Sequence, residues 1–265
     1  RALYVRLYDY REFLYLALCY LAEQVVESYL LVLAELLLLC LVLALLDEFS
    51  CETFVLNGIE YVGAGRNIEE AMTPRYFTIN GTKISFVAAT QIERSLPPDT
   101  KEATESSAGV LRCQTADKLV SVIKEAKENS DFCIAYVHWG TENESKYEYS
   151  QTELAQAFAD AGADIIIGAH PHVLQGIDYI GDVPVLYSLG NFWFNSKTLD
   201  TCLVELKLNN REIESLQFIP CRQHDCKTEE MIKDTTQDYE RILADMRTYS
   251  TDNVSIDDDG YISKK

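Results

Sequence analysis

The chain twice repeats a short apolar run that leads into histidine. Residues 133–137 precede His138, and residues 163–167 precede His170 and His172. Apolar runs of this length, bounded by turn residues, are typical of fully buried strands. Because a helical pattern lies between the two runs, the strands are expected to be parallel neighbours in an α/β sheet. Their carboxyl ends then place the histidines at one edge of the sheet, where open α/β sheets carry their binding sites.

Periodicity and turn signals predict the surrounding elements. An amphipathic helix is predicted over 115–129, and a capping box at 150–153 predicts a second helix that stops at Gly162. Asn80-Gly81 and Asn209-Asn210 each predict a hairpin. Further predictions are strands over 58–62 and 183–194, a polar loop over 95–109 and an exposed charged helix over 228–246.

Size and composition predict one globular domain over residues 1–265. Hydrophobic residues make up 48% and charged residues 25%, which are the values of a folded protein. Within it, residues 1–50 are an atypical leucine-rich segment, and residues 250–265 are expected to be a loosely held tail. The formal net charge of −19 excludes nucleic acid as a partner bound through a general electrostatic field. An anionic substrate would have to be met locally, by metal ions or by a few Arg and Lys side chains.

Two segments leave alternatives open. Cys221 and Cys226 bracket His224, a spacing that suits either a disulfide or a metal clip. Residues 29–46 are almost wholly apolar, which suits a buried core element or a membrane span, although Glu35 in the middle would be costly in lipid. The chain opens without the pattern of a cleavable signal peptide.

The three histidines at matching strand ends predict a metal site. Imidazole is the commonest protein ligand for Zn, Fe and Mn-type centres. His170 and His172 are two residues apart, so in an extended backbone they point the same way and reach one ion together or two neighbouring ions. His138 would join them from the adjacent strand. The alternative is three unrelated loop histidines that are satisfied by hydrogen bonds.

Two further polar residues are candidates for catalysis. Glu142 follows His138 closely and could ligate a metal, orient that histidine or act as a base, or could be a solvated loop carboxylate. Asn191 follows Gly190 and could give an amide oxygen to an ion or a donor to an oxyanion, or could simply be a turn residue.

Four motifs resemble those of a known family, in the same order. They are His-Trp-Gly-Thr-Glu at 138–142, Ala-Gly-Ala-Asp at 161–164, Gly-Ala-His-Pro-His-Val-Leu-Gln at 168–175 and Tyr-Ser-Leu-Gly-Asn-Phe at 187–192. With the glycine-rich stretch at 58–71, they are similar to the bacterial capsule, or poly-γ-glutamate, biosynthesis proteins of the CapA/PgsA type. The resemblance covers residues 46–262.

This family is related to calcineurin-like metallophosphatases, so the resemblance implies a four-layer α/β fold with two mixed β-sheets packed face to face and flanked by helices. It implies divalent metal ions (Mn, Zn or Fe), with His138 and His170 on one ion and His172 on the other. The implied activity is metal-assisted hydrolysis or transfer on an anionic envelope polymer or a phosphate ester. The implied partners are subunits of a membrane synthase, and the implied location is extracytoplasmic, at the cell envelope.

The chain departs from the family near its start. The family has a Gly-Asp, a following Glu and an Asn-Asn-His that supply further ligands, but no histidine precedes His138 here and residues 37–45 are leucine-rich. Asp9, Glu35 and Asp47 are carboxylates that could stand in. Two functions therefore stay open: a metal-dependent hydrolase, or a non-catalytic scaffold subunit of a membrane-bound polymer synthase.

Overall fold

The computed structural model describes residues 3–7, 60–92, 101–192, 197–209 and 211–265. The strands are β1 Leu3–Leu7, β2 Ala64–Gly65, β3 Arg75–Ile79, β4 Thr82–Thr90, β5 Gly109–Val110, β6 Phe132–His138, β7 Ile165–Ala169, β8 Ile177–Ile180, β9 Val183–Leu186, β10 Leu199–Asn209, β11 Glu212–His224, β12 Lys227–Glu230, β13 Val254–Ile256 and β14 Tyr261–Lys264. The helices are α1 Ile68–Ala71, α2 Asp117–Glu128, α3 Tyr149–Ala161 and α4 Gln237–Tyr249.

The first sheet carries the histidine-bearing strands. Its order is β3-β4-β6-β7-β9-β8. The four inner strands are parallel, while β3 and β8 run antiparallel at the edges. In this register Thr90 pairs with His138, and His138 pairs with Ala169. The predicted parallel neighbours are therefore confirmed, and three strands end together at one edge of the sheet.

A second sheet packs against the first through a shared apolar core. Its order is β1-β10-β11-β14-β13, with β12 paired to β11, and all of its pairs are antiparallel. One cluster of buried residues joins Ile84 and Phe86 of the first sheet to Val204, Leu206 and Phe218 of the second. Because apolar contact is what holds two sheet faces together, this cluster shows the predicted face-to-face arrangement of a mixed α/β fold.

Helices α2 and α3 cover the other face of the first sheet. The face that α2 buries is made of Leu119, Val122, Ile123 and Ala126, as the periodicity predicts. Side chains alternate along β4, so that Phe86 and Ala88 face the second sheet while Val87 and Ala89 face the helices. Helices α2 and α3, the first sheet and the second sheet thus form successive layers. Helix α4 contributes a fourth, helical component, because it packs into the same buried cluster as the second sheet.

Several predicted elements are placed differently. The expected strand 183–194 ends at Leu186. The chain then turns through Gly190 (φ 72°), and the apolar residues that follow Leu186 are buried without belonging to the strand. Of the expected strand 58–62, the structure describes residues 60–62, and these are not in a strand. Residues 58 and 59 lie outside the described residues. The hairpin at Asn80-Gly81 is confirmed, with φ values of 51° and 85°.

The C-terminal region differs most from expectation. The helix predicted over 228–246 starts only at Gln237, because residues 227–230 form β12 after a turn at Asp225-Cys226 with positive φ. It is also not exposed on all sides, since it buries Tyr239, Ile242, Leu243 and Met246. The expected loose tail contains β13 and β14, which pair with each other, and β14 pairs with β11. Ile262 is 6% exposed, so burial of this side chain anchors the chain end.

The predictions of the second hairpin and of the capping box need smaller corrections. Strands β10 and β11 are paired as the second hairpin signal predicts, and Asn210 lies outside the described residues. Helix α3 begins after Glu148 rather than Ser150, because the Gln151 side chain accepts a hydrogen bond from the Glu148 N–H at 2.9 Å. This interaction replaces the box expected at 150–153 and still satisfies an N–H at the helix start.

Candidate metal centre

His138 and His170 meet at the carboxyl edge of the first sheet. His138 is the last residue of β6, and its neighbour in β7 is Ala169, directly before His170. The Nε2 atom of His138 lies 3.0 Å from the Nδ1 atom of His170, and the ring centroids are 4.6 Å apart. Register between parallel strands therefore brings together two imidazoles that are far apart in sequence.

His172 is held beside this pair by Asn191. Its Nδ1 atom lies 2.7 Å from Oδ1 of Asn191, and its ring centroid lies 6.1 Å from that of His170. An amide oxygen only accepts, so Nδ1 of His172 carries the proton and donates it. His172 and Asn191 are 8% and 4% exposed, which makes this a buried contact. The bond fixes the tautomer of His172, so that its Nε2 atom carries a lone pair on the side of the ring away from Asn191.

Glu142 is the most exposed of the predicted residues. Its side chain is 46% exposed, and its Oε1 atom lies 3.9 Å from Nε2 of His172. The adjacent Asn143 donates its N–H to the carbonyl of Pro171 at 2.7 Å. The loop after β6 is thus tied to the loop after β7, and all five predicted residues lie at one edge of the sheet.

The histidine loop has an unusual backbone. His170 has φ 103° and His172 has φ 64°, both in the left-handed region that side chains with a Cβ rarely adopt. Such conformations cost of the order of 1–3 kcal/mol each and cluster at functional sites. Two of them on either side of Pro171 indicate a loop whose shape serves the placement of its side chains.

Gly168 allows the loop to start where it does. A Cβ at this position would lie 2.0 Å from the carbonyl oxygen of Tyr187 and 2.3 Å from Nε1 of Trp139. The two groups that occupy this space are bonded to each other, since the Trp139 indole donates to the Tyr187 carbonyl at 2.9 Å. Because Trp139 is fully buried, glycine is required at the end of β7.

A buried glutamine pair supports the site, and the sequence analysis missed it. Gln151 and Gln175 are 0% and 1% exposed, and Nε2 of Gln151 donates to Oε1 of Gln175 at 2.9 Å. Gln175 in turn donates to the carbonyl of Glu144 at 2.8 Å. The pair links the start of α3 to the loops that carry the histidines and Glu142. A glutamine at the start of a helix and another closing the histidine motif were the only signals.

The geometry fits part of a metal-ligand set. Two nitrogens about 2.1 Å from one ion lie about 3.0–3.4 Å apart, depending on whether coordination is octahedral or tetrahedral. The 3.0 Å between His138 and His170 falls in this range. Among the described residues, no group of three or more His, Cys, Asp or Glu side chains is placed to hold a metal ion. The distance between these two nitrogens fits a shared ion and equally fits a hydrogen bond between the two rings, while His172 stands apart from them. The metal site therefore stays a prediction.

Among the described residues, the second cysteine-histidine cluster forms neither a metal clip nor a disulfide. Cys221 is buried in β11 and Cys226 is exposed, and both are thiols. His224 lies 3.1 Å from a carboxylate oxygen of Glu229 and 3.4 Å from one of Asp225. These carboxylates raise the pKa of His224, chiefly through the hydrogen bond that the His224 ring donates to Glu229. The cluster is a surface ion pair on the turn before β12.

Two predictions concern residues that the structure does not describe: the apolar segment 29–46, and the carboxylates that could replace missing metal ligands. Residues 29–46, together with Asp9, Glu35 and Asp47, lie outside the described residues. Within the parts of the chain that are described, no helix is both long and apolar enough to span a membrane.

The sequence matches a family model and several relatives. The model of the bacterial capsule synthesis protein PGA_cap matches residues 49–196. The chain is 35% identical over 169 residues to a capsule biosynthesis protein CapA of Bacillus anthracis, covering 61% of this chain and 40% of that protein. It is 31% identical over 186 residues to a PGA biosynthesis protein CapA of Bacillus subtilis, covering 69% and 48%. The chain thus spans less than half the length of these relatives.

Solved structures resemble it more distantly. A novel phosphatase of Mycoplasma pneumoniae has a TM-score of 0.40 at 13% identity, over 64% of this chain and 62% of that one. A hypothetical protein of Thermus thermophilus has a TM-score of 0.39 at 12% identity, over 71% and 82%. The family assignment depends on the sequence match over residues 49–196, which contains all five candidate site residues. The chain belongs to the bacterial capsule synthesis protein family PGA_cap.

Proposed function

We propose that this chain carries the metallophosphatase-type site of a capsule or poly-γ-glutamate biosynthesis protein and performs metal-assisted hydrolysis or transfer. The substrate class is an anionic envelope polymer or a phosphate-type ester. The observation that carries the proposal is the 3.0 Å approach of His138 Nε2 to His170 Nδ1 at the carboxyl edge of a parallel sheet. Names of relatives in capsule and PGA biosynthesis support the biological setting.

The described residues have separable roles in this proposal. His138 and His170 hold one divalent ion, of the Mn, Zn or Fe type, and His172 offers its Nε2 to a second. A bound ion would supply Lewis acidity and lower the pKa of water. Asn191 keeps His172 in the tautomer that a ligand needs, because its Oδ1 accepts the Nδ1 proton. Glu142, whose side chain is 46% exposed and lies 3.9 Å from Nε2 of His172, would act as a base or as a further ligand.

A scaffold function is the second candidate. It is favoured by the ligand count, since the described residues do not bring a third His, Cys, Asp or Glu to the pair, and no histidine precedes His138 in the sequence. In that case the chain keeps the fold and serves a membrane-bound polymer synthase, whose subunits are the proposed partners. Both candidates place the protein at the cell envelope, outside the cytoplasm.

Metal titration tests the catalytic proposal. We expect the purified chain to bind Mn²⁺ or Zn²⁺ in calorimetry, and His170→Ala to weaken the affinity at least about 100-fold, the upper end for loss of a supporting group. The matched control is His224→Ala, because His224 lies on the surface turn near β12 and should leave the affinity within twofold. A chain that neither contains nor takes up Mn, Zn or Fe would overturn the proposal.

Complementation separates the two candidates. A strain that lacks its own copy of the gene would receive the wild-type protein, His170→Ala or His224→Ala, and polymer production would be measured. If metal chemistry is the function, His170→Ala abolishes production although the protein is present at normal abundance. If the chain is a scaffold, His170→Ala sustains production as well as His224→Ala does.

A further inference from the structure

The turn that carries Asn191 is attached to both sheets. On one side it contacts the segment that follows the histidines: Ser188 donates its hydroxyl to the carbonyl of Val173 at 2.7 Å, and Leu189 pairs with Leu174. On the other side the carbonyl of Leu189 accepts hydrogen bonds from β10 of the second sheet. The second sheet therefore reaches the candidate centre, although all five candidate residues belong to the first sheet or to the loops that follow its strands.

Thr201 makes the shortest of the bonds from β10. Its Oγ1 atom donates to the carbonyl of Leu189 at 2.9 Å, whereas the N–H of Cys202 reaches the same oxygen at 3.3 Å and the Cys202 thiol at 3.6 Å. Thr201 is 0% exposed, so its hydroxyl has to find its partner inside the protein. A valine would have nearly the same shape but could not bind the turn.

Gly190 lets the turn approach β10 closely. A Cβ on Gly190 would lie 3.0 Å from the carbonyl oxygen of Asp200 and 3.4 Å from Oγ1 of Thr201. The next residue is Asn191, whose Oδ1 atom accepts the Nδ1 proton of His172. A shift of the turn away from β10 would therefore displace the acceptor that fixes the His172 ring.

The start of β10 has its own anchor on helix α4. The carboxylate of Asp200, the residue before Thr201, accepts two parallel hydrogen bonds from Arg241, both at 2.8 Å. Arg222 of the neighbouring strand β11 lies 3.5 Å from the same carboxylate. A bidentate arginine–carboxylate pair restricts the orientation of both groups. The hydroxyl of Thr201 thus belongs to a strand end that is held independently of the turn.

We propose that Thr201 is a positioning residue of the candidate metal centre. Its hydroxyl holds the turn of residues 189–191 in the place where Asn191 keeps His172 in the tautomer that a ligand needs. The inference rests on the proposed function for its consequence in metal binding, and it deepens that function by bringing the second sheet into the site. Thr201 acts through the turn rather than by contact with an ion.

Nitrogen NMR of the histidine rings tests the positioning role without metal. Long-range ¹H–¹⁵N spectra of the EDTA-treated whole chain, at a pH where the rings are neutral, distinguish the two tautomers, and the signals lost in His172→Ala assign His172. We expect one tautomer, protonated at Nδ1, in the wild type and in Thr201→Ser, which keeps the hydroxyl. Thr201→Val should show a mixture of tautomers. The wild-type pattern in Thr201→Val, or protonation at Nε2 in the wild type, would overturn the proposal.

Metal affinity in the same variants measures the consequence. Mn²⁺ titration should show at least about fivefold weaker binding in Thr201→Val, because loss of a group that orients a ligand costs about 10–100-fold and Thr201 acts one bond further away. Thr201→Ser should stay within about twofold. The matched control is Ser85→Ala, which removes a fully buried hydroxyl 2.8 Å from that of Ser130, in the first half of β4. Equal losses of metal affinity in Thr201→Val and Ser85→Ala would contradict the positioning role.

The two measurements separate this inference from the proposed function. If the tautomer of His172 changes as expected but the wild type binds neither Mn²⁺ nor Zn²⁺, the hold of Thr201 on His172 is confirmed and the proposed metal chemistry fails. If Thr201→Val does not fold, Thr201→Cys gives the same comparison with a smaller expected effect, because a thiol is a weaker donor than a hydroxyl.

Discussion

The Nδ1 atom of His170 lies 3.0 Å from the Nε2 atom of His138, although 32 residues separate them in sequence. The contact follows from the pairing of β6 with β7, in which His138 is opposite Ala169. A shift of one residue in this register would turn each side chain to the opposite face. The site is therefore tied to the sheet itself, and changes that loosen the β6–β7 edge should reach the histidines.

The bond between Asn191 and His172 should matter for both stability and metal affinity. Asn191→Leu leaves the buried Nδ1–H of His172 without its acceptor, so we expect a loss of about 1–3 kcal/mol in the free energy of unfolding. Metal affinity should fall about 10–100-fold, since the imidazole is no longer oriented. Urea denaturation and calorimetry measure the two effects. Asn191→Asp, which keeps an acceptor, should recover most of the metal affinity. Equal metal affinities in Asn191→Leu and Asn191→Asp would contradict the positioning role.

The buried glutamine pair should behave as one unit. Gln175→Leu leaves the Gln151 amide unsatisfied, and we expect it to cost about 1–3 kcal/mol of stability. The double variant Gln151→Leu/Gln175→Leu should cost less than the sum of the single variants, with a coupling of about 0.5–3 kcal/mol. The control is Gln156→Leu on the same helix, whose exposed side chain bonds to Asp160 and should shift stability by less than about 0.5 kcal/mol. Strict additivity in urea denaturation would show that the two side chains act independently.

Gly168→Ala should destabilise the chain strongly. The added methyl would overlap the Tyr187 carbonyl and the Trp139 indole and would break the bond between them. Overpacking of this kind costs about 3 kcal/mol, because neither group can move out of a fully packed core. Gly181→Ala is the comparison: its Cβ would meet nothing within 4 Å, and only the positive φ of +58° opposes it, at about 1–2 kcal/mol. Similar melting temperatures for the two variants would argue against the close packing at Gly168.

The buried thiols should resist alkylation until the chain unfolds. Burial raises the pKa of Cys133 to about 11 and that of Cys113 to about 12, from an ordinary value of 9.0. Since a raised pKa favours the protonated form, the associated stability is present below pH 9 and is lost as the pH rises towards 11. With iodoacetamide at pH 8, peptide-resolved mass spectrometry should find Cys226, which is exposed, labelled well before either of them. Equal labelling rates of Cys226 and Cys133 would mean that strand β6, which contains Cys133, opens readily.

Much of the site could be predicted because its signals are local. A run of apolar residues that ends in histidine identifies a buried strand and its ligand whatever surrounds them, and the motifs at 138–142 and 168–175 identify the family. The predictions that were wrong lie where local signals compete. Residues 228–236 have a helical composition, yet cross-strand hydrogen bonds to β11 hold residues 227–230 as a strand. The chain end looks polar and loose, yet Ile262 is buried.

The sequence by itself determined the family, the α/β class with parallel strands, and the five residues at the candidate centre, because periodicity and motif order are written in short stretches of chain. The tertiary structure decided which nitrogen faces which partner: His170 to His138, and His172 to Asn191. It also decided that Thr201 of the second sheet contacts the turn of Asn191 and that Gln151 and Gln175 support the site from within. These relations depend on strand register and burial, which arise only when distant segments pack and which no local pattern encodes.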